Sequence, residues 1–317
     1  MAWVEITADE YARHFANPVA SYLRTDFNLL NADKVDAVRF LTFDDDGYRM
    51  GIVFGERGDE WLSPFSAPFG GFAYKDDEIP VEQVDNAMAG LVAFARDNGK
   101  KLNIVLPPML YAKSLLSKTV SSMFRSGFAL SYTDLDYAFD LGKPYESLLT
   151  KRMARRNLKT ALAAGFDFRR EDSAEGRAVS YGVIRENRES KNYDLKMSLE
   201  ALEKTAAVVD MDFFTLYQAG APIAAAIVYR VSPRIAQVIY WGDVPNDGKA
   251  KPMNMVAYKT FEFYREAGFD FLDVGPASVN GVPNVGLCSF KETVGCFVDL
   301  KYVFEFDGTR VGAGECR

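Results

Sequence analysis

Positively charged residues are concentrated in one helix-like segment, Tyr145–Ala164. Its cations lie along one helix face and the neighbouring ridge, and they are Lys151, Arg152, Arg155, Arg156 and Lys159. No aspartate or glutamate falls between positions 147 and 166. Because like charges repel one another unless an anion lies against them, one interpretation of the pattern is an anion-binding surface. The alternative is a solvated helix face whose cations pair with distant carboxylates.

Two passages about 170 residues apart repeat one pattern. Residues 94–108 read FARDNGKKLNIVLPP, and residues 263–277 read FYREAGFDFLDVGPA. The positions that match at one constant offset are Phe94/Phe263, Arg96/Arg265, Gly99/Gly268, Val105/Val274 and Pro107/Pro276. A period this long indicates a duplicated domain rather than a solenoid array, whose repeats are much shorter.

Each half of the chain has the same predicted order of elements. Antiparallel strands come first, a strand–helix–strand unit follows, and a final pair of strands ends the half, which predicts an α+β fold used twice. Gly142 and Pro144 mark the boundary between the halves. We therefore predict an N-terminal domain over residues 1–143 and a C-terminal domain over residues 144–317.

Several kinds of site are excluded by what the sequence lacks. His14 is the only histidine, so a metal site built on two histidines is excluded. No Gly-x-Ser-x-Gly, Cys-x-x-Cys, Walker or Gly-x-Gly-x-x-Gly pattern occurs. Asp44–Gly47 lacks the ligand spacing of a calcium loop and reads as a hairpin turn across Asp46 and Gly47. No metal is expected.

Composition predicts a cytoplasmic protein. The chain has 317 residues, 48% of them hydrophobic, and a net charge of −7, which disfavours a general affinity for nucleic acid or anionic lipid. Three cysteines, Cys288, Cys296 and Cys316, provide no disulfide framework. No signal peptide is visible, and the longest apolar stretch, Ala221–Tyr229, is too short to span a membrane.

Three patterns together resemble the FemAB-type acyltransferases. Residues 151–165 are similar to that family's R-x-N-x-R/K-x-A-x-x-x-G helix. Phe271–Gly275 and Phe290–Gly295 resemble its D-x-G strand end and F-K-x-x-x-G turn. The resemblance covers residues 145–306, reaches the first half through the repeat and residues 64–71, and matches Asn187 and Arg188 only loosely. It implies two fused GNAT-like (acyl-CoA N-acyltransferase) domains that transfer an acyl or aminoacyl group to an amine.

The resemblance also implies an activated donor, such as a coenzyme A thioester. A donor phosphate is expected at a helix N-terminus, where free amides and the helix dipole favour anions. The segment that opens the second-half helix carries Lys249, Lys251 and Asn254. It departs from the glycine-rich turn of simple acetyltransferases, which puts acetyl-CoA itself in doubt. The equivalent first-half loop, residues 76–82, is acidic, so we expect the donor in the second half.

Each candidate residue of the second half has a functional and a structural interpretation. Lys291 either contacts the acceptor's carboxylate or the reacting carbonyl, or is a surface lysine. Asp273, where the first half has Ile104, either acts in the cleft or caps the next loop. Tyr240 and Trp241 either stack on a ligand or pack in the core. We predict Lys291, Asp273 and Tyr240 as catalytic residues, and as substrate-binding residues Arg152, Arg155, Arg156, Lys159 and Trp241.

Three functions follow from these patterns. The first is an N-acyltransferase that acts on a small-molecule or peptide amine. The second is FemAB-type transfer from an aminoacyl-tRNA to a peptidoglycan precursor, which the arginine-rich segment would suit. The third is a catalytically silent binding module.

Overall fold

Apolar runs of the sequence form the buried strands of two units in the computed structural model, which describes residues 1–45 and 47–309. Unit 1 comprises Met1–Asp134 and the segment that begins at Asp299, and unit 2 comprises Leu135–Val298. These limits differ from the predicted division into 1–143 and 144–317, because the C-terminal strand pairs with a strand of unit 1. Asp46 and Cys316 lie outside the described residues.

Unit 1 is built on a mixed sheet with the strand order β1-β2-β3-β4-β6-β15, in which β5 lies beside β3. Only its β4–β6 pairing is parallel among the described residues. The strands are β1 (Ala2–Glu5), β2 (Ala37–Asp44), β3 (Met50–Arg57), β4 (Glu60–Ser63), β5 (Phe72–Tyr74), β6 (Lys101–Val105) and β15 (Phe297–Asp307). The helices are α1 (Ala8–His14), α2 (Thr25–Leu30), α3 (Val81–Asp97) and α4 (Lys113–Arg125).

Unit 2 is built on a sheet with the strand order β7-β12-β11-β10-β9-β8, in which β11 and β12 are parallel. The strands are β7 (Ala129–Asp140), β8 (Asp167–Arg170), β9 (Met211–Gln218), β10 (Ala221–Tyr229), β11 (Ile235–Asp243) and β12 (Phe271–Pro276). The helices are α5 (Tyr145–Leu148), α6 (Arg152–Leu162), α7 (Ala174–Ser190), α8 (Leu199–Thr205), α9 (Pro252–Glu266) and α10 (Val285–Thr293). Helix α9 buries Val256, Phe261 and Tyr264 in the same core as Ala226 and Leu272 of the sheet.

The repeated passage has the same local structure in both units. Helices α3 and α9 each end two residues before a glycine with a left-handed backbone, Gly99 (φ 61°) and Gly268 (φ 81°). The amides of these glycines bond to the carbonyls of Arg96 and Arg265 at 3.0 and 3.1 Å. Each helix then leads into a strand that has a parallel partner earlier in the chain. β12 pairs with β11, the strand directly before α9, whereas β6 pairs with β4, and β5 lies between β4 and α3 in the chain.

The predicted helix over Tyr145–Ala164 is interrupted in the structure, so the prediction of one continuous helix is wrong. The chain leaves α5 at Leu149 and re-enters α6 after Lys151, whose backbone is extended. The Arg155 side chain holds the break, because its Nε donates to the Leu149 carbonyl at 2.9 Å. Lys151 is therefore the N-cap residue of α6 and not a member of its basic face.

A short two-stranded ribbon lies between β12 and α10. Its strands are β13 (Ser278–Val279) and β14 (Val282–Pro283), joined through Asn280 and Gly281, which both have positive φ. Positive φ at both central residues is the requirement of a type I′ hairpin turn. Among the helices of the described residues, none has both the length and the apolar character needed to cross a membrane.

Candidate active site

The parallel pair β11–β12 separates part of the way along unit 2. Ile235–Gln237 pair with Phe271–Asp273, and the ladder ends there, although β11 continues to Asp243. On its other edge β11 stays paired with β10 as far as Asp243. That pairing shifts register between Val238 and Tyr240, which leaves one extra residue, Ile239, as a bulge. A parallel pair that opens beyond a bulge leaves backbone groups of both strands outside the ladder.

Asp273 lies at the point where the two strands separate. Its side chain is fully buried, and its Oδ2 accepts a hydrogen bond from Gln237 Nε2 on β11 at 2.6 Å. Its Oδ1 accepts from the Gly275 amide at 2.7 Å. Gly275 has φ of 74°, a left-handed conformation that glycine adopts without steric cost. Asp273 therefore joins β11 to β12 and also fixes the bend by which β12 ends.

Lys291 is bound to the same bend. It lies in the last turn of α10 and is 1% exposed. Its ammonium donates to the carbonyls of Val274, Gly275 and Pro276 at 2.8, 2.8 and 3.0 Å, which matches all three of its hydrogens. Burial lowers the pKa of Lys291, and the negative charge of Asp136 is the strongest influence in the opposite direction. In this arrangement Lys291 orients the end of β12, so its predicted contact with an acceptor stays a prediction.

Tyr240 and Trp241 follow the bulge and point to opposite faces of β11, as consecutive strand residues do. The ring of Trp241 packs edge-on against Phe290 of α10, with centroids 5.8 Å apart. Tyr240 lies under the guanidinium of Arg188 on α7, 5.8 Å from Cζ to the ring centroid. Burial raises the pKa of Tyr240, and a hydrogen bond from the Met197 backbone acts in the opposite direction. The structure therefore brings Asp273 and Lys291 together, whereas Tyr240 has other neighbours.

The predicted donor loop precedes α9. Its side chains satisfy part of its own backbone, because Asn246 and Asp247 accept from the amides of Gly248 and Lys249 at 2.7 and 3.0 Å. The exposed Lys249 pairs with Asp247 at 2.9 Å. Lys251 begins the helix with a left-handed backbone (φ 61°), and no side chain caps the helix start. Asn254, in the first turn of α9, is buried.

The predicted basic surface is the exposed side of α6. Ala154, Leu158 and Ala161 face the core, and the opposite side carries Arg152, Arg155, Arg156 and Lys159. None of these four cations forms an ion pair with a carboxylate of the described residues. At the start of the helix, Lys151 Nζ lies 3.9 Å from Glu292 on α10, the residue that follows Lys291. The start of α6 is therefore next to the helix that carries Lys291.

Asn187 and Arg188, which the sequence matched only loosely to the family pattern, both contact the open part of β11. Asn187 is 1% exposed and donates from Nδ2 to the Asp243 carbonyl at 2.6 Å. It packs so tightly that a Cβ on Gly242 would lie 2.4 Å from its Cγ. The glycine that ends the aromatic strand, Trp241-Gly242, is the sequence signal that could have indicated this contact.

A cavity of about 330 Å³ lies within unit 1, and it contains no predicted site residue. It is lined by Glu60, Lys101, Leu102, Asn103, Ala129, Glu305, Phe306 and Asp307. Within residues 1–45 and 47–309, no group of three histidine, cysteine, aspartate or glutamate side chains could hold a metal ion.

Comparisons with known proteins place the fold. No protein-family model and no curated protein sequence matches this chain. Among solved structures, FemX matches over 96% of this chain and 97% of its own, with a TM-score of 0.67 and 13% identity. The C-terminal domain of a putative lysylphosphatidylglycerol synthetase from Agrobacterium fabrum covers 94% of this chain and 92% of its own (TM-score 0.61, 15% identity). A tandem GNAT protein from the clavulanic acid biosynthesis pathway covers 98% of this chain and 99% of its own (TM-score 0.53, 10% identity).

These likenesses extend over nearly the whole chain at sequence identities that show the fold alone. They agree with the α+β units and with the parallel strand pairs that the structure contains. The predicted resemblance is confirmed at the level of the fold, and the chain has the FemAB-like, GNAT-type fold.

Proposed function

We propose that this protein is an N-acyltransferase and that unit 2 is its catalytic unit. It would move an acyl group from an activated donor, such as a coenzyme A thioester, to an amine on a small molecule or peptide. The observation that carries the proposal is the early end of the β11–β12 ladder, at Gln237 and Asp273, next to the bulge at Ile239. An extended donor can lie in such an opening and bond to backbone groups that no neighbouring strand uses.

The reaction requires positioning more than it requires a special nucleophile. The amine nitrogen attacks the activated carbonyl, a C–N bond forms, and the C–S or C–O bond to the carrier breaks. The amine loses a proton, and the carrier leaves as a thiol or a hydroxyl. Asp273 and Lys291 would act by fixing the end of β12, since both are buried and bonded to its backbone. Fixed geometry and fixed dipoles are the main sources of rate in such transfers.

The parallel strand pair of unit 1 differs from that of unit 2, and this difference supports the assignment of the donor site to unit 2. All four residues of β4 pair with β6, from Glu60↔Lys101 to Ser63↔Ile104. Beyond that ladder, the Gly70 amide donates to the Val105 carbonyl at 2.8 Å and continues the closure of this edge. The parallel pair of unit 1 therefore offers no equivalent opening.

A second donor class, aminoacyl-tRNA, is favoured by two observations. The exposed cations of α6, which form no ion pair with a carboxylate among residues 1–45 and 47–309, make a basic face that suits a polyanionic carrier. In the loop before α9, the diphosphate of coenzyme A would have to compete with Asn246 and Asp247 for two of the amides. The acceptor would then be a peptidoglycan precursor, as the FemAB resemblance implies. A silent binding module is the third possibility.

The test begins with a thermal-shift screen of coenzyme A thioesters, aminoacyl-tRNA analogues and UDP-linked precursors. Donors that raise Tm are then incubated with a panel of amines, and new amides are detected by mass spectrometry. We expect an amide product with one donor class. Lys251→Gln should weaken the binding of a coenzyme A donor, whereas Lys143→Gln, an exposed control in the same unit, should not. The proposal fails if no donor of any class binds and no amide forms.

A further inference from the structure

We propose that Arg188 binds an oxyanion, a carboxylate or a phosphate monoester, that is carried by the amine acceptor. The inference rests on the proposed function for the identity of the acceptor, but its geometric basis is independent of the reaction. It assigns a binding role to a residue on α7, on the face of β11 opposite to Trp241. It also restricts the acceptors to amines that carry such an anion, for example amino acids, peptides or phosphorylated amines.

Arg188 is held at the open part of β11. Its neighbour Asn187 is buried and bonds to the Asp243 carbonyl at the end of that strand. The close packing of Asn187 on Gly242 leaves no space for a different approach of α7. Arg188 then lies with its Cζ 5.8 Å from the centroid of Tyr240, two residues before Gly242. The guanidinium is therefore positioned beside strand residues that β12 does not pair.

The Arg188 guanidinium is partly desolvated, and no carboxylate of the described residues forms an ion pair with it. Its residue is only partly exposed, and burial lowers the pKa of Arg188. Within the described residues, no carboxylate comes within ion-pairing distance of it. Arg230 in the same unit shows the usual arrangement, because its guanidinium donates to both oxygens of Asp212 at 2.8 and 3.1 Å. A desolvated cation of this kind is normally paired.

Two contacts near Arg188 favour its positive charge without binding its guanidinium N–H groups. The Tyr240 ring offers its face to the cation, a modest interaction at a half-exposed site. The end of the α7 dipole favours a cation, but the Arg188 carbonyl already accepts from the amides of Lys191 and Tyr193. Neither contact uses the N–H edge of the guanidinium. That edge matches the two oxygens of a carboxylate or phosphate, which makes an oxyanion the fitting ligand.

The test uses the full-length protein and small probes that do not depend on catalysis. The Arg188 Nε–Hε signal, assigned by its loss in Arg188→Lys, is followed by NMR during titration with N-acetylglycine, phenyl phosphate and the neutral N-acetylglycinamide. We expect millimolar binding and a shift with one or both anions but not with the amide. Arg188→Gln should weaken the binding about tenfold or more, because charge-assisted bidentate bonds are lost. Arg185→Gln is the matched control on α7, where Arg185 is exposed and faces Glu189.

The outcomes separate the possibilities. A shift with N-acetylglycine alone assigns a carboxylate, and a shift with phenyl phosphate alone assigns a phosphate. No shift with either anion, or equal binding by wild type and Arg188→Gln, overturns the inference. If an acceptor is identified by the transfer assay, its KM should rise in Arg188→Gln and not in Arg185→Gln. Probe binding without any transfer would retain the Arg188 site and remove the proposed function.

Discussion

Replacement of Lys291 by methionine should strongly destabilise unit 2, because the ammonium is bonded to three backbone carbonyls in the interior. Each buried acceptor that loses its donor costs about 1–3 kcal/mol, so three cost about 3–9 kcal/mol. The variant has no buried ammonium to desolvate, and this offsets several kcal/mol of the lost stability. It also removes the positive charge of Lys291 that interacts with the buried Asp273. Removal of one partner of a buried ionic group costs about 3–5 kcal/mol, so we expect the free energy of unfolding to fall by an amount in that range.

The assay is urea unfolding followed by tryptophan fluorescence and circular dichroism, with hydrogen exchange at the amides of Val274, Gly275 and Ala277. Lys204→Met is the matched control, because Lys204 is exposed on α8 and pairs with Glu200 one turn away. That control should change the free energy of unfolding by less than about 0.5 kcal/mol, since methionine and lysine have similar helix propensities and exposed pairs contribute little. If Lys291→Met and Lys204→Met are equally stable, or if exchange at Val274, Gly275 and Ala277 is unchanged, the role of Lys291 in fixing β12 is refuted.

Three further predictions concern other parts of unit 2. Gly242→Ala should destabilise the protein by about 1–3 kcal/mol, because its Cβ would meet Asn187. Gly182→Ala on α7, where the space is open, should instead stabilise it by up to about 1 kcal/mol. Equal unfolding curves for the two variants would contradict the close packing of Asn187 on Gly242. Burial raises the pKa of the Cys296 thiol well above its usual range, so near pH 8 it stays protonated; in a Cys288→Ser/Cys316→Ser background, iodoacetamide should alkylate it more than about tenfold more slowly than in urea, and equal rates would show an accessible thiolate. The triple variant Arg152→Gln/Arg156→Gln/Lys159→Gln should keep its stability, since these cations lack ion pairs among the described residues. The slope of the logarithm of its tRNA-binding constant against the logarithm of salt concentration should become shallower by about one unit per cation. An unchanged slope, or the same change in Lys143→Gln, would show that α6 is not part of the binding surface.

Local sequence signals predicted the elements that depend on local physics. Glycine is a typical residue just after a helix, and Gly99 and Gly268 both adopt the left-handed conformation that ends α3 and α9. The turn that joins β9 and β10 is formed by the adjacent residues Ala219 and Gly220, which both have positive φ. The strand–helix–strand unit of each half is likewise present. These features are set by residues that lie within a few positions of one another.

Features that depend on distant contacts could not be predicted. Nothing in the composition of residues 149–151 marks the end of α5, because the break is held by the side chain of Arg155. Lys291 resembled a surface lysine on a short helix, yet it is buried by carbonyls 15 to 17 residues earlier in the chain. Their convergence depends on the left-handed bend at Gly275. Asp273 was placed at the strand end by the repeat, but its bond to Gln237 required the register of β11 on β12.

The position of β15 determines the order in which the protein can be completed during synthesis. Unit 2 is one continuous stretch of chain, Leu135–Val298, and its residues are all available once that stretch has emerged from the ribosome. Unit 1 has to wait, because β6 receives its partner Val303–Asp307 only after the whole of unit 2 has been synthesised. Until then the edge of β6 is open, and the rings of Phe124 and Phe128 lack their partners Phe304 and Phe306. The first segment of unit 1 therefore has an unpaired strand edge throughout the synthesis of unit 2, the kind of surface on which nascent chains aggregate or recruit chaperones.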